Sequence, residues 1–288
     1  MTLLLLGISI LLSTGRNLFS KKLSDIRFGT NSFFLCQSLL FVFGGISLLL
    51  FGDISWKAVA AQTWLYALIY GSLLICAQWF YTAALSAGNT ALCSTVYSMG
   101  FVFPTLSGAI FWWESFSFFD FLGILCAVGA IIFSGKTGDE KSEARHNRYF
   151  VPLVIAMLSS GGLGIVQKLQ QKSLYAEEKS LFLLIAFLFA SAMSVLASFI
   201  TPNKQNRCLS KGAVSVAACI GLCFGTCNLL NTTLAGRLDS AIFFPTLNIG
   251  VILLTLLCGA LFYKEKIKRT ELCVLFFGSA SILLLNIW

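Results

Sequence analysis

The sequence predicts an all-α integral membrane protein with about ten transmembrane helices, arranged as two inverted five-helix repeats. Hydrophobic residues make up 57% of the 288 residues and charged residues 11%, and the mean hydropathy is +0.86. A soluble domain of this composition would have little polar surface. The apolar residues form long stretches, and two phrases of the first half return in the second.

Ten apolar stretches account for the helix count. Each approaches the roughly 20 residues that a spanning helix needs, and no barrel-like alternation of apolar and polar residues occurs in them. The first stretch lacks basic residues before it and has Arg16 and Asn17 where a signal peptide would be cleaved, so it is expected to remain as the first helix. The stretches cover residues 2–19, 31–52, 64–85, 91–113, 118–133, 149–166, 181–200, 212–234, 241–263 and 272–288.

The longest hydrophilic segment lies near the middle of the chain. Residues 136–148 are too few to fold by themselves and are interpreted as a linker. The first predicted repeat is therefore 1–135, with helices one to five, and the second is 149–288, with helices six to ten. No other segment is large enough for a soluble domain, so the function is expected within or across the bilayer.

The two halves share sequence at their beginnings and at their ends. A shift of 151 residues places Glu114 on Glu265 and Asp120 on Glu271. Because five helices are an odd number, the second half must enter the membrane from the opposite side, which is typical of secondary transporters with a site at the midplane between the repeats. The alternative is a chance match of apolar sequence. A shift of 146 aligns Leu12, Ser13, Gly15, Lys22 and Leu23 with Leu158, Ser159, Gly161, Lys168 and Leu169.

Two longer segments resemble the ten-helix drug/metabolite transporter (DMT) superfamily, in particular its EamA-type members. The first is YTAALSAGNTALCSTVYSMGFVFPTLSGAIFWWES, and the second is AIFFPTLNIGVILLTLLCGALFYKEK. The resemblance implies a transporter in which helices one, three, four, six, eight and nine surround a cavity and helices five and ten are peripheral. It specifies the cargo poorly, since the superfamily is similar to carriers of amino acids, sugars, nucleotide sugars and choline. The residues that carry it are Tyr81, Ala84, Leu85, Pro104, Glu114, Gly123, Gly129, Pro245 and Glu265.

The basic residues predict the orientation in a cell membrane, either the plasma membrane or a bacterial inner membrane. The odd-numbered loops carry fourteen of them, and the even-numbered loops carry Lys57, Lys168, Lys172, Lys179 and Arg237. The positive-inside rule then places both termini outside, whereas better-known members of the resembled family keep both inside. Sidedness and the direction of transport stay open. The net charge of +8 is explained by topology and anionic lipid headgroups, with no need for a nucleic-acid partner.

Arg16 is the main candidate for a substrate-binding residue, together with Asn17. An ionisable residue in a membrane helix costs about 2.5 to 3.5 kcal/mol and is a functional hypothesis by default. A guanidinium in a central cavity could hold a carboxylate or phosphate through two hydrogen bonds. The alternative is that the side chain snorkels to the headgroups, since Lys21 lies only about 8 Å of helix away.

Further polar side chains are candidates for lining the cavity. Gln78 and Tyr81 share one helix face, as do Asn228 and Asn231, because each pair is three residues apart. Any one of them could equally bond neighbouring helices. Pro104 and Pro245 are expected to bend helices four and nine during transport. The full set of cavity candidates is Arg16, Asn17, Gln78, Trp79, Tyr81, Tyr97, Gln167, Asn228, Asn231 and Asn248.

The positions of the acidic residues and of the one histidine argue against a cationic cargo and against an enzyme. All twelve acidic residues lie at helix ends or in loops, so a neutral, zwitterionic or anionic cargo is expected rather than a cation. The one histidine, His146, lies at the linker, and no nucleophile, base or phosphate loop indicates an enzyme. Cys219, Cys223 and Cys227 lack acidic or histidine partners, so neither a metal nor another cofactor is expected.

The sequence therefore predicts a secondary transporter that moves a small organic solute by alternating access. A flippase of a lipid-linked carrier, which would need a lateral opening, and a non-transporting membrane sensor or assembly protein are the alternatives. The expected partners are the solute and the bilayer. A monomer would suffice, because one chain contains both repeats, and a homodimer stays open.

Overall fold

The computed structural model describes residues 2–24, 30–54, 59–87, 97–114, 117–135, 146–200, 211–262 and 269–285, and within these ranges the chain is α-helical with no strand. Short 3-10 helices lie at Met99–Phe101 and Ala176–Glu178. The α-helices are α1 (Thr2–Ser24), α2 (Thr30–Phe51), α3 (Ala61–Ala87), α4 (Val102–Trp112), α5 (Phe118–Gly135), α6 (His146–Lys172), α7 (Lys179–Ile200), α8 (Lys211–Arg237), α9 (Ser240–Phe262) and α10 (Arg269–Leu285).

Six of these helices, α1, α2, α3, α6, α7 and α8, are long and apolar enough to cross a membrane. The apolar helical segments found in α4, α5 and α9 are shorter. Exposed leucine, isoleucine and phenylalanine side chains cover much of the helix surface, as a hydrocarbon environment favours. The prediction of an all-α membrane protein is confirmed.

One loop assignment is wrong. The sequence places Lys168 in an even-numbered loop, whereas α6 continues to Lys172 and the Lys168 side chain is only 1% exposed. Helix-forming residues, KLQQK, follow the apolar part of α6, and the Glu114 carboxylate, just after α4, neutralises the lysine. Lys168 therefore does not count among the loop residues that predict the orientation.

The chain divides into two compact units, each built from both halves of the sequence. Unit 1 comprises Met1–Ile75 and Leu169–Thr233, and unit 2 comprises Cys76–Lys168 and Leu234–Trp288. These units are not the predicted repeats, whose boundaries stay a prediction. Helices α3, α6 and α8 each run from one unit into the other.

In unit 1, α2 packs against α7 and α8. The Ser38 and Ser191 hydroxyls are hydrogen-bonded at 2.8 Å between α2 and α7. At Gly221 and Gly225 of α8, an added Cβ would overlap the Leu40 and Gly44 carbonyl oxygens of α2. These glycines let α8 approach the α2 backbone closely, as small residues do between membrane helices.

In unit 2, α5 packs against α10 and α4 packs against α9. The Phe133 and Phe277 rings stack with their centroids 5.5 Å apart. The Ser281 hydroxyl donates to the Gly123 carbonyl at 2.8 Å. Helix α6 approaches the 3-10 helix Met99–Phe101 closely, since a Cβ on Gly161 would lie 2.8 Å from the Gly100 carbonyl oxygen.

Both prolines predicted to bend helices are buried in unit 2. Pro104 stands in the first turn of α4, directly after the 3-10 turn at Met99–Phe101. Pro245 lies inside α9, where the missing N–H leaves a carbonyl one turn earlier without its usual helical donor. Pro152, which the sequence did not single out, lies inside α6.

Candidate functional site

In unit 1, polar residues of α1 meet α8 in an antiparallel register. The Ser9 hydroxyl donates to Asn231 Oδ1 at 2.5 Å. One turn on, Ser13 Oγ lies 2.9 Å from Cys227 Sγ. The Asn231 amide also donates to the Cys227 sulfur at 3.3 Å. These four side chains therefore hydrogen-bond one another and hold α1 on α8.

Arg16 follows on the same face of α1, and its guanidinium lies over the Phe224 ring of α8. The distance from Cζ to the ring centroid is 4.8 Å, within the range of a cation–π contact. Phe224 is 7% exposed and packs on the Phe187 ring at 5.4 Å. The aromatic surface beneath the guanidinium is therefore held from behind by α7.

The contact with Phe224 places the Arg16 charge near the middle of α8. Phe224 is the middle residue of α8, thirteen positions from each end, Lys211 and Arg237. The guanidinium therefore lies roughly 20 Å of helix from either end of α8. A snorkelling arginine would extend toward a helix end, so the geometry favours the ligand-binding interpretation of Arg16.

The sequence of α1 explains why Arg16 takes this direction. Leu4, Ile8, Leu11 and Phe19 are exposed and cluster on one side of the helix at 100° per residue. Ser9, Ser13 and Arg16 fall on the other side. The polar face of α1 consequently packs on α8, while its apolar face remains uncovered.

The Arg16 guanidinium has no ion-pair partner within the part of the chain that the structure describes. Its one hydrogen bond is a long contact of 3.4 Å from a terminal nitrogen to Asn17 Oδ1. A guanidinium has five N–H donors, so most of them are available. Arg16 can therefore donate hydrogen bonds to a ligand oxygen without breaking a strong contact.

The Asn228 and Asn231 side chains contact different helices, although both residues lie on α8. The Asn228 side chain accepts a hydrogen bond of 2.5 Å from the Tyr70 hydroxyl of α3 and donates to the Phe224 carbonyl at 2.8 Å. Asn231 instead faces α1 through Ser9. Asn228 therefore joins two helices in the way expected of interhelical polar bonds.

The remaining candidates lie in unit 2. The Tyr81 and Tyr97 rings pack with their centroids 4.5 Å apart. Asn248 donates to the Phe244 carbonyl of its own helix at 2.9 Å. Gln167 is 5% exposed. Partly buried Gln78 and Trp79 precede Tyr81 on α3.

A second charged cluster in unit 2 joins residues at or near the ends of four helices, α4, α6, α8 and α9. Lys168 Nζ of α6 lies 2.5 Å from Glu114 Oε1, with the two side chains 1% and 6% exposed. The other oxygen of Glu114 accepts the Ser240 N–H at the start of α9, at 2.8 Å. Lys168 also donates to the Leu238 carbonyl just after α8, at 2.9 Å. The negative charge of Glu114 thus lies at the N-terminus of α9 and the positive charge of Lys168 at the C-terminus of α8, which is the favourable sign for each helix dipole.

Gly108 makes room for this cluster. Trp113 takes a left-handed conformation with φ of 51°, and the Glu114 N–H returns to the Gly108 carbonyl at 3.3 Å. A Cβ on Gly108 would overlap the Glu114 carboxylate. Burial opposes ionisation of Glu114, but the hydrogen bonds from Lys168 and Ser240 and the Lys168 charge outweigh it and lower its pKa.

Several residues at these clusters were not singled out from the sequence. Phe224 and Tyr70 are ordinary aromatic residues of apolar stretches, and their roles depend on neighbours more than 150 residues away. Ser9 and Ser13 could have been found, because with Arg16 they make a polar stripe at helical spacing. The pairing of Lys168 with Glu114 had no local sequence signal.

Comparisons with known proteins establish the fold and nothing more. No protein-family model matches the sequence, and no curated protein matches it. A solved crystal structure is similar, with a TM-score of 0.77 and 14% sequence identity, over 99% of this chain and 98% of that one. Likeness at this level of identity carries no assignment of activity or cargo.

Proposed function

We propose that the chain is a ten-helix secondary transporter of the EamA type in a cell membrane, and that it moves a small neutral, zwitterionic or anionic organic solute by alternating access. The observation that carries the proposal is the Arg16 guanidinium over Phe224 at the middle of α8. An unneutralised charge at this depth is costly, and such residues mark solute or ion pathways. Asn17, Ser13 and Phe224 around it offer binding groups but no general base, which favours a carrier over an enzyme.

Helix packing supports two repeats of five helices. If α1 to α5 are equivalent to α6 to α10, the packed pairs α2 and α7, α4 and α9, and α5 and α10 each join equivalent helices. Elements beside a two-fold axis contact their own counterparts in this way. The sequence agrees, since GAIFWWE at 108–114 corresponds to GALFYKE at 259–265. An odd number of helices in each repeat then inverts the second repeat.

Ligand-dependent stability tests the proposal directly. The purified full-length protein is melted in the presence of anionic, zwitterionic, neutral and cationic metabolites. A ligand that binds only the folded state raises its stability by about 2.7 kcal/mol at one hundred times its Kd. Hits are then assayed for counterflow in proteoliposomes. Uptake of a stabilising solute into loaded vesicles is the expected result, and the absence of both stabilisation and counterflow across all four classes would refute a transporter.

Two arginine variants show whether Arg16 belongs to the binding site. Arg16→Gln removes the charge at the middle of α8, and Arg237→Gln removes one charge from an exposed position at the end of the same helix. Stabilisation by the solute should fall in Arg16→Gln and persist in Arg237→Gln. An equal response of both variants would move the site away from Arg16.

A further inference from the structure

The charges within the helices are not balanced. Lys168 and Glu114 neutralise each other at 2.5 Å. Arg16 has no such partner among the residues described, so the α1 and α8 face carries one net positive charge. In a low-dielectric environment this excess favours a ligand that brings one negative charge.

The geometry around Arg16 presents hydrogen-bond donors to the ligand. The Arg16 Cζ lies 4.8 Å from the Phe224 ring centroid, and the five N–H donors of a guanidinium lie in one plane. Ser9, Ser13, Cys227 and Asn231 are hydrogen-bonded among themselves. The most available group is thus a planar fork of N–H donors, which matches the two oxygens of a carboxylate.

The described acidic side chains of unit 1 lie away from the middle of α8, where they cannot balance a ligand ammonium at Arg16. In unit 1, Asp53 and Glu177 are exposed beyond helix ends. Glu178 accepts the Ala60 N–H at 3.3 Å, also at a helix end. A zwitterion bound to Arg16 would bury its ammonium without a counter-charge, which is strongly unfavourable.

We infer that the solute is an organic monocarboxylate without a cationic group, and that Arg16 binds its carboxylate while Phe224 supports the guanidinium. This inference rests on the proposed transport function and narrows its cargo class. A phosphate monoester, with nearly two negative charges at neutral pH, would leave one charge unneutralised at Arg16. The monocarboxylate is the class that balances the site.

Matched pairs of 2-hydroxy acid and 2-amino acid test the inference, because the two members differ only in a hydroxyl or an ammonium on one carbon. The pairs are lactate and alanine, 2-hydroxy-4-methylpentanoate and leucine, and 3-phenyllactate and phenylalanine. Each compound is titrated against the wild-type protein by thermal shift and tested in proteoliposome counterflow. In the pair that binds, the hydroxy acid should bind about tenfold or more tightly than the amino acid. This comparison needs no variant.

Arginine variants connect the preference to the site. Arg16→Gln should lose the response to the hydroxy acid, Arg16→Lys should retain part of it through the charge alone, and Arg237→Gln should match the wild type. Each variant's melting without ligand serves as the control for folding.

The two proposals fail in different ways. An amino acid that binds as tightly as its hydroxy acid, a hydroxy acid that binds Arg16→Gln undiminished, or a metabolite panel in which only non-carboxylate solutes bind would overturn the inference and leave transport intact. If no charge class binds or is moved, the transport function itself is overturned.

Discussion

Replacing Glu114 by glutamine should destabilise the protein by about 3 to 5 kcal/mol, because it leaves the buried Lys168 ammonium without its counter-charge. Lys168 is 1% exposed, so solvent cannot replace the carboxylate. The Leu238 carbonyl remains as a partner of Lys168, and a glutamine oxygen can still accept the Ser240 N–H. The expected loss of stability is therefore the loss of the electrostatic attraction between Glu114 and Lys168.

The double variant Glu114→Gln/Lys168→Met separates that part from packing. Methionine keeps the apolar length of the lysine but carries no charge, so no buried ion is left unpaired. The double variant should lose only about 1 to 2 kcal/mol, chiefly the charged hydrogen bond to Leu238. The two changes together should thus cost less than either change alone.

Thermal unfolding in one detergent or nanodisc preparation measures this series. At roughly 2 °C per kcal/mol for a large chain, each single variant should melt about 6 to 10 °C below the wild type. The exposed Glu177 provides the matched control, since Glu177→Gln should change little. Single variants that melt like this control, or a double variant whose loss equals the sum of the single losses, would refute a stabilising buried pair.

Three further predictions follow from the same contacts. Because the folded-state pKa of Glu114 is lowered, its stabilising contribution is present above the unfolded-state pKa and is lost as the pH falls below about 4.3. The melting temperature of the wild type should therefore fall more steeply in acid than that of Glu114→Gln, and parallel curves would contradict this role of Glu114. Gly225→Ala should destabilise the protein by about 1 to 3 kcal/mol, because its Cβ would overlap α2 where α2 and α8 cross. Gly15→Ala has open space for a Cβ and should not, so equal melting temperatures of the two variants would contradict the close approach. Replacing Pro104 and Pro245 together by alanine should slow counterflow while ligand-induced stabilisation persists, and unchanged transport would show that bending at these prolines is not needed.

The helices could be predicted closely from the sequence because their signal is local. Stretches of about 20 apolar residues fix a spanning helix with little help from the rest of the chain, and the predicted stretch 181–200 agrees with α7 at Lys179–Ile200. Arg16 stood out for the same reason, as a charge among apolar neighbours. The error at Lys168 came from counting lysines as loop residues, a rule that holds only when no buried carboxylate is available.

Contacts between distant segments could not be predicted in this way. Glu114 and Lys168 are 54 positions apart in the sequence, and Tyr70 and Asn228 are 158 apart. An asparagine or a tyrosine in an apolar helix has the same local appearance whether it binds a solute or a neighbouring helix. The structure distinguishes these roles for Asn228, whose oxygen is occupied by Tyr70.

The two basic residues within apolar helices differ in burial and in partners, and this difference gives them different expected roles. Lys168 is the more deeply buried, yet Glu114 and the Leu238 carbonyl satisfy it, so its loss should change stability and leave ligand selectivity intact. Arg16 is only partly buried, yet it stands at the middle of α8 with an aromatic ring and one long hydrogen bond. A charge at that depth costs folding free energy, and a ring contact and one long hydrogen bond recover only part of it. A bound anion would recover the rest, so the proposed function predicts that substituting Arg16, and not Lys168, changes which solutes stabilise the protein.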